Sequence, residues 1–566
     1  MGREIIGEAG SISEPSSFFL ENVAHKNRSF PWNVYVPMGG YQEKMSERNA
    51  GLVRNAVVMM MGTATSRILG LVREVLVAAF FGATRQLDAF NIAYTIANLA
   101  RQLLAEGALS AAFVPVFSRV LRDKGPSRAG MLARRAVFVL LVFGGMAVGL
   151  GLLLAPLLVR ILALGFGPEE RALAVDLTRS MFPYLLIVSL SALAMGVLNS
   201  MNCFFIPAVA PALSNVTFIL VLAFSAKQWG LWALPGAVLL GGVMHCALQW
   251  IWAWKLGMPL FPAKPSRDDE DLRHMLALFL PYAAGLSLNQ LHPVISRLFG
   301  SFLEGGPISA LNYADRVLQL PLGLFVIAIS QAVLPMLSRL DPHDTEGFLE
   351  ALRDAVRFAL FVVLPVSMGG ALYAGETVHL LFFRGAFGEW AWHATTAALG
   401  FYALGLPGMT CTTVMMRALY ARTLPRDAIR VTVASIGANL VISAVLLPFL
   451  SFRGLALASS CAFTVSAVVG YHRLVRHLGC GMAIFSRSWL MRMGWGLMVT
   501  FGILEMWRWG WPYPLEASTA WRGAWLGGAS VLGGGTYLVT MRALGCPEWQ
   551  WLQSAVSRRE RKEGAL

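Results

Sequence analysis

The chain has 566 residues, of which 56% are hydrophobic and only 14% charged, and apolar runs recur along almost its whole length. Crossing roughly 30 Å of hydrocarbon takes about 20 apolar residues per helix, and these runs show no strand alternation, so a soluble globular class and a β-barrel are both excluded. The formal net charge of +14 would suggest nucleic acid as a partner of a soluble protein, but here the basic residues collect in alternate loops, the positive-inside pattern of a multi-pass membrane protein, and nucleic acid is excluded too.

In chain order, residues 1–50 are polar, mixed in charge and Ser/Gly/Pro-containing, and read as a disordered N-terminal extension without a signal peptide, with Met45 as a second candidate start. Apolar runs then fall near 54–81, 87–117, 134–164, 173–198, 207–226, 231–255, 274–300, 308–337, 354–381, 391–420, 429–450, 454–475, 488–508 and 520–543. These predict an all-α polytopic membrane protein of about fourteen transmembrane helices, the first two long, polar-interrupted and bent. Basic clusters at Arg119–Arg135, Lys264–Arg273, Arg339–Arg357, Arg417–Arg430 and Arg473–Arg492, and the tail Arg558–Lys562, place both termini in the cytoplasm.

An internal echo organises the helices. Ala112-Phe-Val-Pro115-Val-Phe-Ser118-Arg119 returns as Ala332-Val-Leu-Pro335-Met-Leu-Ser338-Arg339, and Ala89-Phe-Asn91-Ile-Ala93 as Ala310-Leu-Asn312-Tyr-Ala314. Either match alone could be chance. In register with the topology they pair the second span with the eighth, as in two six-helix lobes forming a parallel pseudo-repeat about an axis along the membrane normal. The expected organisation is an N-lobe at 51–260, a C-lobe at 261–480, two additional C-terminal helices at 481–545 and a basic cytoplasmic tail at 546–566.

Four arginines stand inside these apolar runs: Arg67, Arg73, Arg101 and Arg316. Burying an arginine at mid-membrane costs about 2.5–3.5 kcal/mol even on insertion scales, so repeated burial points to a wet cavity and an anionic cargo. Arg67 and Glu74, seven apart, share a helix face, with Arg73 turned roughly 100° from Glu74; they form part of a site or a structural ion network. Gly70 and Ser66 make this helix deformable. In the second span, Asn98 and Arg101 share a face, as do Gln102 and Glu106, while Asp88 fits either the site or a helix-start cap. In the eighth, Asn312, Asp315, Arg316 and Gln319 cluster within two turns, as a site or as local charge balance. The six scattered cysteines read as packers, and the lone His292 and His393 as packing or interfacial residues, so no metal site is expected. With no Walker loop, GxGxxG, HExxH or GxSxG, neither an enzyme nor an ATP motor is encoded. No cofactor is expected, and work comes from an ion gradient, the membrane potential or consumption of cargo on the far side.

The stretch Ser66-Arg67-Ile-Leu-Gly70-Leu-Val-Arg73-Glu74, followed by Phe81-Gly82-Ala83, Asp88-Ala89-Phe90, Asn98-Leu99, Ala105-Glu106-Gly107-Ala108, Ala112-Phe113-Val114-Pro115 and Tyr313-Ala314-Asp315-Arg316, resembles the MurJ/MviN family of bacterial lipid II flippases, within the multidrug/oligosaccharidyl-lipid/polysaccharide exporter superfamily. The resemblance implies translocation of lipid II, an undecaprenyl-diphosphate-linked muropeptide, from the inner to the outer leaflet of the cytoplasmic membrane by alternating access. It puts Arg67, Arg73, Arg101 and Arg316 against the diphosphate, with Asp88 at a matching polar position, and assigns the spans after Arg487 a groove for the polyprenyl tail. Glu74, Gln102 and Gln319 stand where some relatives carry Asp, Arg and Glu. It further implies membrane lipids and cell-wall synthesis proteins as partners, and coupling to membrane potential or a monovalent cation. Alternatives are an exporter of another lipid-linked oligosaccharide and a multidrug exporter, although a cationic-drug antiporter needs cavity carboxylates rather than arginines. A glycosyltransferase would need a larger outer loop than any here, and a scaffold would not need buried arginines.

Overall fold

The computed structural model describes residues 65–102, 108–266, 269–287, 291–341, 343–479, 481, 483–551 and 553. Its main elements are helices: α1 (65–81), α2 (Arg85–Arg101), α3 (Ala108–Leu162), α4 (Pro168–Met181), α5 (Pro183–Ser200), α6 (Phe205–Trp229), α7 (Ala233–Lys255), α8 (Glu270–Ser287), α9 (Leu291–Gly300), α10 (Pro307–Pro321), a π turn (Leu322–Ile327), α11 (Ala328–Ser338), α12 (Thr345–Leu372), α13 (Ala374–Phe382), α14 (Glu389–Leu404), α15 (Leu406–Ala421), α16 (Pro425–Leu450), α17 (Phe452–Leu478), α18 (Arg487–Gly510) and α19 (Thr519–Ala543). Among the described residues, seven helical stretches, or eight if the bent pair α14–α15 is one span, are long and apolar enough to cross a membrane. The chain is an all-α polytopic membrane protein, as its composition requires. The expected count of about fourteen also takes in α1, α2, α8 with α9, and the Trp- and Gly-rich α18 and α19.

Breaks fall where backbone chemistry puts them. Gly125 takes φ +80° and Pro126 follows it, so α3 is two arms joined at a sharp turn. Pro183, with no N–H to donate, divides α4 from α5, and Gly405 with Pro407 divides α14 from α15 by 43°. Pro321 precedes the π turn between α10 and α11. The run 354–381, continuous in sequence, is interrupted at Tyr373, whose hydroxyl donates to the Leu504 carbonyl of α18 at 2.8 Å.

The apolar cores show how the lobes meet. At one end a single cluster is shared: Val77 and Ala78 of α1 and Leu87, Phe90 and Ile92 of α2 pack with Ile308, Leu311 and Tyr313 of α10 and with Phe382 and Phe387. At the opposite end, which carries the basic loops, the cores are separate. One holds Phe113, Phe117, Leu132 and Leu198; the other holds Phe348, Val356, Met415 and Leu419, joined by Trp489, Met493, Tyr537 and Met541 of α18 and α19. The C-terminal pair is pinned to α12 by the Tyr537 hydroxyl, which donates to the Phe361 carbonyl at 2.8 Å. Its outward side exposes Met498, Met506, Val531 and Val539, an apolar face suited to lipid.

Past residue 260, where the sequence places the lobe boundary, the chain is still seated on the N-lobe. Ala263 N donates to the Arg134 carbonyl at 3.1 Å, Lys124 pairs with Asp271 at 2.7 Å, and Arg135 pairs with Asp269. Leu272 and Met275, one turn apart on α8, complete the N-lobe cluster. α9, the next helix, packs on α16 and α17. The pairing of basic α3 residues with the acidic start of α8 explains this, and hydropathy alone cannot show it.

The shared end is sealed by backbone and polar contacts. Asp88, fully buried, accepts at Oδ1 from Ser309 N at 2.7 Å and Ser309 Oγ at 2.6 Å, and at Oδ2 from Ile308 N at 3.4 Å. It therefore caps a helix start in the opposite lobe, α10, while Thr84 caps its own. The Tyr313 hydroxyl donates to Gly82 O at 2.8 Å, and Ala386 N to Ala79 O at 2.8 Å. Gly82 and Gly306, at φ +62° and +85°, lie so close to the backbones of Ala386 and Ala83 that no Cβ would fit. Arg85 donates to the Leu303 and Ser301 carbonyls across the same seam.

Removing the Asp88 acceptor should weaken this seal by about 1–3 kcal/mol. A cysteine placed at Ala83, followed by peptide mass spectrometry in detergent, is expected to react with a maleimide severalfold faster in an Asp88→Ala background than in the parent, with Asp88→Asn between the two. Equal rates would show that the seam is held by something else.

Candidate functional site

Between the sealed end and the two separate cores lies a cavity of about 740 Å³. α1, α2, α5, α6 and α7 wall it from the N-lobe, and α9, α10 and the π turn from the C-lobe. The echo noted in the sequence is visible in it, because Asn91 of α2 and Asn312 of α10 both line it, where those two helices pack against each other.

All four arginines singled out from the sequence face this cavity, together with Asn98, Asp315 and Gln319. Arg73 donates to Glu74 Oε1 at 2.8 Å and stacks over the Phe218 ring at 5.1 Å. The same Glu74 oxygen lies 3.5 Å from Arg316 Nε, across the lobe interface. Glu74 is only 6% exposed, beneath the cavity wall, and bridges an arginine from each lobe. The partner differs from the one that helical spacing suggests: Arg67 reaches instead toward the Gln319 carbonyl at 3.5 Å, because the adjacent Arg73 curls its tip back onto Glu74. Asn98 Oδ1 accepts from Arg101 Nε and Nη2 at 2.9 and 2.7 Å, so this pair, three apart, presents one planar fork. On α10, Gln319 donates to Asp315 Oδ2 at 2.7 Å and accepts from Arg316 Nη1 at 3.4 Å.

Two further candidates fall elsewhere. Asp88 sits in the seal, outside the cavity, and Glu106 lies outside the described residues. Sequence reasoning missed Arg297, which lines the cavity from α9 and donates to Thr95 Oγ1 and Asn312 Oδ1, each at 3.2 Å. An arginine inside the run 274–300 is the same signal that marked Arg67, so it was there to be read. His245, Tyr94 and Tyr184 also line the wall. Neutral side chains in apolar runs carry no such charge signal.

The electrostatic outcome is a strongly cationic chamber. Five arginines, three from the N-lobe and two from the C-lobe, share the cavity with Asp315, and Glu74 beneath its wall pairs with two of them, Arg73 and Arg316. Guanidinium forks in a low-dielectric site match the planar or bidentate oxygens of phosphate and carboxylate groups. Among the described residues, no group of three His, Cys, Asp or Glu side chains could hold a metal ion.

The family model described as "Lipid II flippase MurJ" matches residues 77–511. The "Probable lipid II flippase MurJ" of Rhizobium tropici is 34% identical over 435 residues, covering 75% of this chain and 81% of the relative. The "Lipid II flippase MurJ" of Burkholderia cenocepacia is 32% identical over 410 residues, covering 70% and 78%. Among solved structures, "Lipid II flippase MurJ, inward closed conformation" superposes with a TM-score of 0.71 at 24% identity, over 86% of this chain and 99% of that one. An inward-facing multidrug resistance MATE transporter of the MOP superfamily gives 0.62 at 19% identity, over 76% and 98%, a likeness of fold. On the extent of the family match and the identity to these relatives, the chain belongs to the MurJ family.

Proposed function

We propose that this protein is a lipid II flippase of the bacterial cytoplasmic membrane, a transporter rather than an enzyme, carrying the headgroup from the inner to the outer leaflet. One observation carries the reading: five arginines from both lobes converge on one intramembrane cavity, in a chain whose relatives are named for lipid II. The diphosphate is the group that Arg67, Arg73, Arg101 and Arg316 hold, and Asn98, Glu74, Asp315 and Gln319 set the angles of their guanidinium planes. The cost of holding these cations in the bilayer falls when an anion joins them.

Alternating access follows from the arrangement of the cores. The lobes are joined at the end remote from the basic loops, so the positive-inside pattern makes this conformation inward-facing. Capture of the headgroup from the cytoplasmic side, rupture of the Asp88–Ser309 and Tyr313–Gly82 contacts, and closure of the basic ends would carry it across. The tail stays in lipid against the apolar face of α18 and α19. No ATP motif occurs in the sequence, and the membrane potential or a monovalent cation supplies the work. A multidrug reading has the MATE fold in its favour, but a cationic drug would be repelled by the arginine excess.

Arg73→Ala and Arg316→Ala, at wild-type membrane levels, are each expected to abolish rescue of a flippase-depleted bacterium and the appearance of lipid II in the outer leaflet. Full activity in both variants would remove the site. A second expectation concerns Glu74→Gln, which leaves two half-buried guanidiniums short of a counter-charge and costs less than the about 3–5 kcal/mol of a fully buried pair. The variant should melt several degrees lower in detergent and gain more from added lipid II than the parent does. An equal gain in both would show that Glu74 does not stand in for the cargo's charge.

A further inference from the structure

His245, on the cavity wall of α7, has a hydrogen-bonded support behind it that the arginine site does not use. Gln249, one turn on and fully buried, places its amide Nε2 3.2 Å from His245 Nε2, while its Oε1 accepts from the Ser191 hydroxyl of α5 at 2.9 Å. The Trp250 indole donates to the Leu190 carbonyl at 3.3 Å and seats α7 on α5 at the same level. With Oε1 taken by Ser191, the amide N–H donates to the ring, and Nδ1 carries the hydrogen of the neutral imidazole. No described residue hydrogen-bonds Nδ1.

The support also serves a charged ring. A half-turn of the Gln249 amide brings its oxygen to Nε2 and its N–H to Ser191 Oγ, so an imidazolium with hydrogens on both nitrogens is held equally well. An apolar residue at 249 could do neither.

We propose that His245 is an oxyanion-binding residue of the cavity, donating Nδ1–H to a phosphate or carboxylate oxygen of the lipid-linked headgroup and taking up a proton as that anion binds. This rests on the reading of the cavity as a lipid II site. The groups around the ring fit the role. Arg101 of α2 lines the same cavity. Tyr184 of α5 packs beside Gly242, one turn before it. α6 presents the neutral Ser214 and Asn215 to the cavity, its charged Lys227 lying in its last turn. On α4, Asp176 pairs with Arg179, Glu170 with Arg85, and Arg171 donates to the Phe166 carbonyl, while Glu169 lies in its first turn. On α7 itself the neighbouring titratable group is Cys246. An anion lying between Arg101 and the ring favours the imidazolium, so binding and proton uptake go together, and affinity rises as pH falls through the imidazole range.

The test is binding of lipid II, and of the same lipid lacking its peptide, to the purified full-length protein in nanodiscs between about pH 5.5 and 7.5, which brackets imidazole titration. One linked proton changes affinity by up to about tenfold per pH unit, and the parent's Kd for lipid II should fall by about three- to tenfold across this range. His245→Gln should flatten the dependence, and Gln249→Leu, which leaves the ring but strips its partner, should reduce it. A slope with both lipids would place the anion on the sugar diphosphate part, and a slope with the peptide-bearing lipid alone would identify a peptide carboxylate. The parental slope persisting in His245→Gln overturns the proposal, as does a flat profile in the parent. If His245→Gln is recovered poorly, a full parental slope in Gln249→Leu has the same force. Failure of the parent to bind either lipid at any pH would instead remove the lipid II reading, and this proposal with it.

Discussion

The carboxylate of Glu74, held between Arg73 of its own helix and Arg316 of the opposite lobe, is the contact around which the chamber is arranged. Guanidinium groups cannot stay in a membrane-embedded protein without counter-charge or water, since each uncompensated ion costs several kcal/mol. One buried acid shared by two arginines draws α1 and α10 together from different lobes, and the remaining arginines then converge on the same space. The acids there are outnumbered, and under the proposed lipid II reading the cargo's anion makes up the balance.

The chemistry of the two ends differs accordingly. The sealed end is held by close-packed backbone, helix capping by Asp88, Arg85 on two carbonyls and a shared apolar core, with no ion pair between the lobes among the described residues of that seam. At the basic end, each lobe keeps its own core and its own ion pairs, such as Lys124 with Asp271 on the N-lobe. The lobes thus keep separate cores at one end and are joined at the other by a seam of hydrogen bonds and close-packed glycines.

Much of the site was legible in the chain. An arginine in an apolar run is so costly that it marks a wet cavity by itself, and each of Arg67, Arg73, Arg101 and Arg316 reaches the same one. Spacing was enough for Asn98 with Arg101, where one helix face decides the contact. It failed for Glu74, because a long side chain can fold back along its helix to an adjacent residue and outward to another lobe. Arg297 carried the same mark and was passed over. His245, uncharged by default and alone in its run, gains meaning only from Gln249 and Ser191, which stand on two different helices.

Composition alone determined that this is a polytopic helical membrane protein, because nothing else can bury so many apolar residues while satisfying its backbone. The arginines in apolar runs marked a cationic cavity, and the echoed Asn91 and Asn312 the pairing of its lobes. Which end is shut, that Asp88 caps a helix 220 residues away at Ile308, and that α8 rides on the N-lobe were decided only in three dimensions. Each depends on contacts between residues far apart in the chain, whose meeting is set by the packing of whole lobes rather than by the period of any one helix.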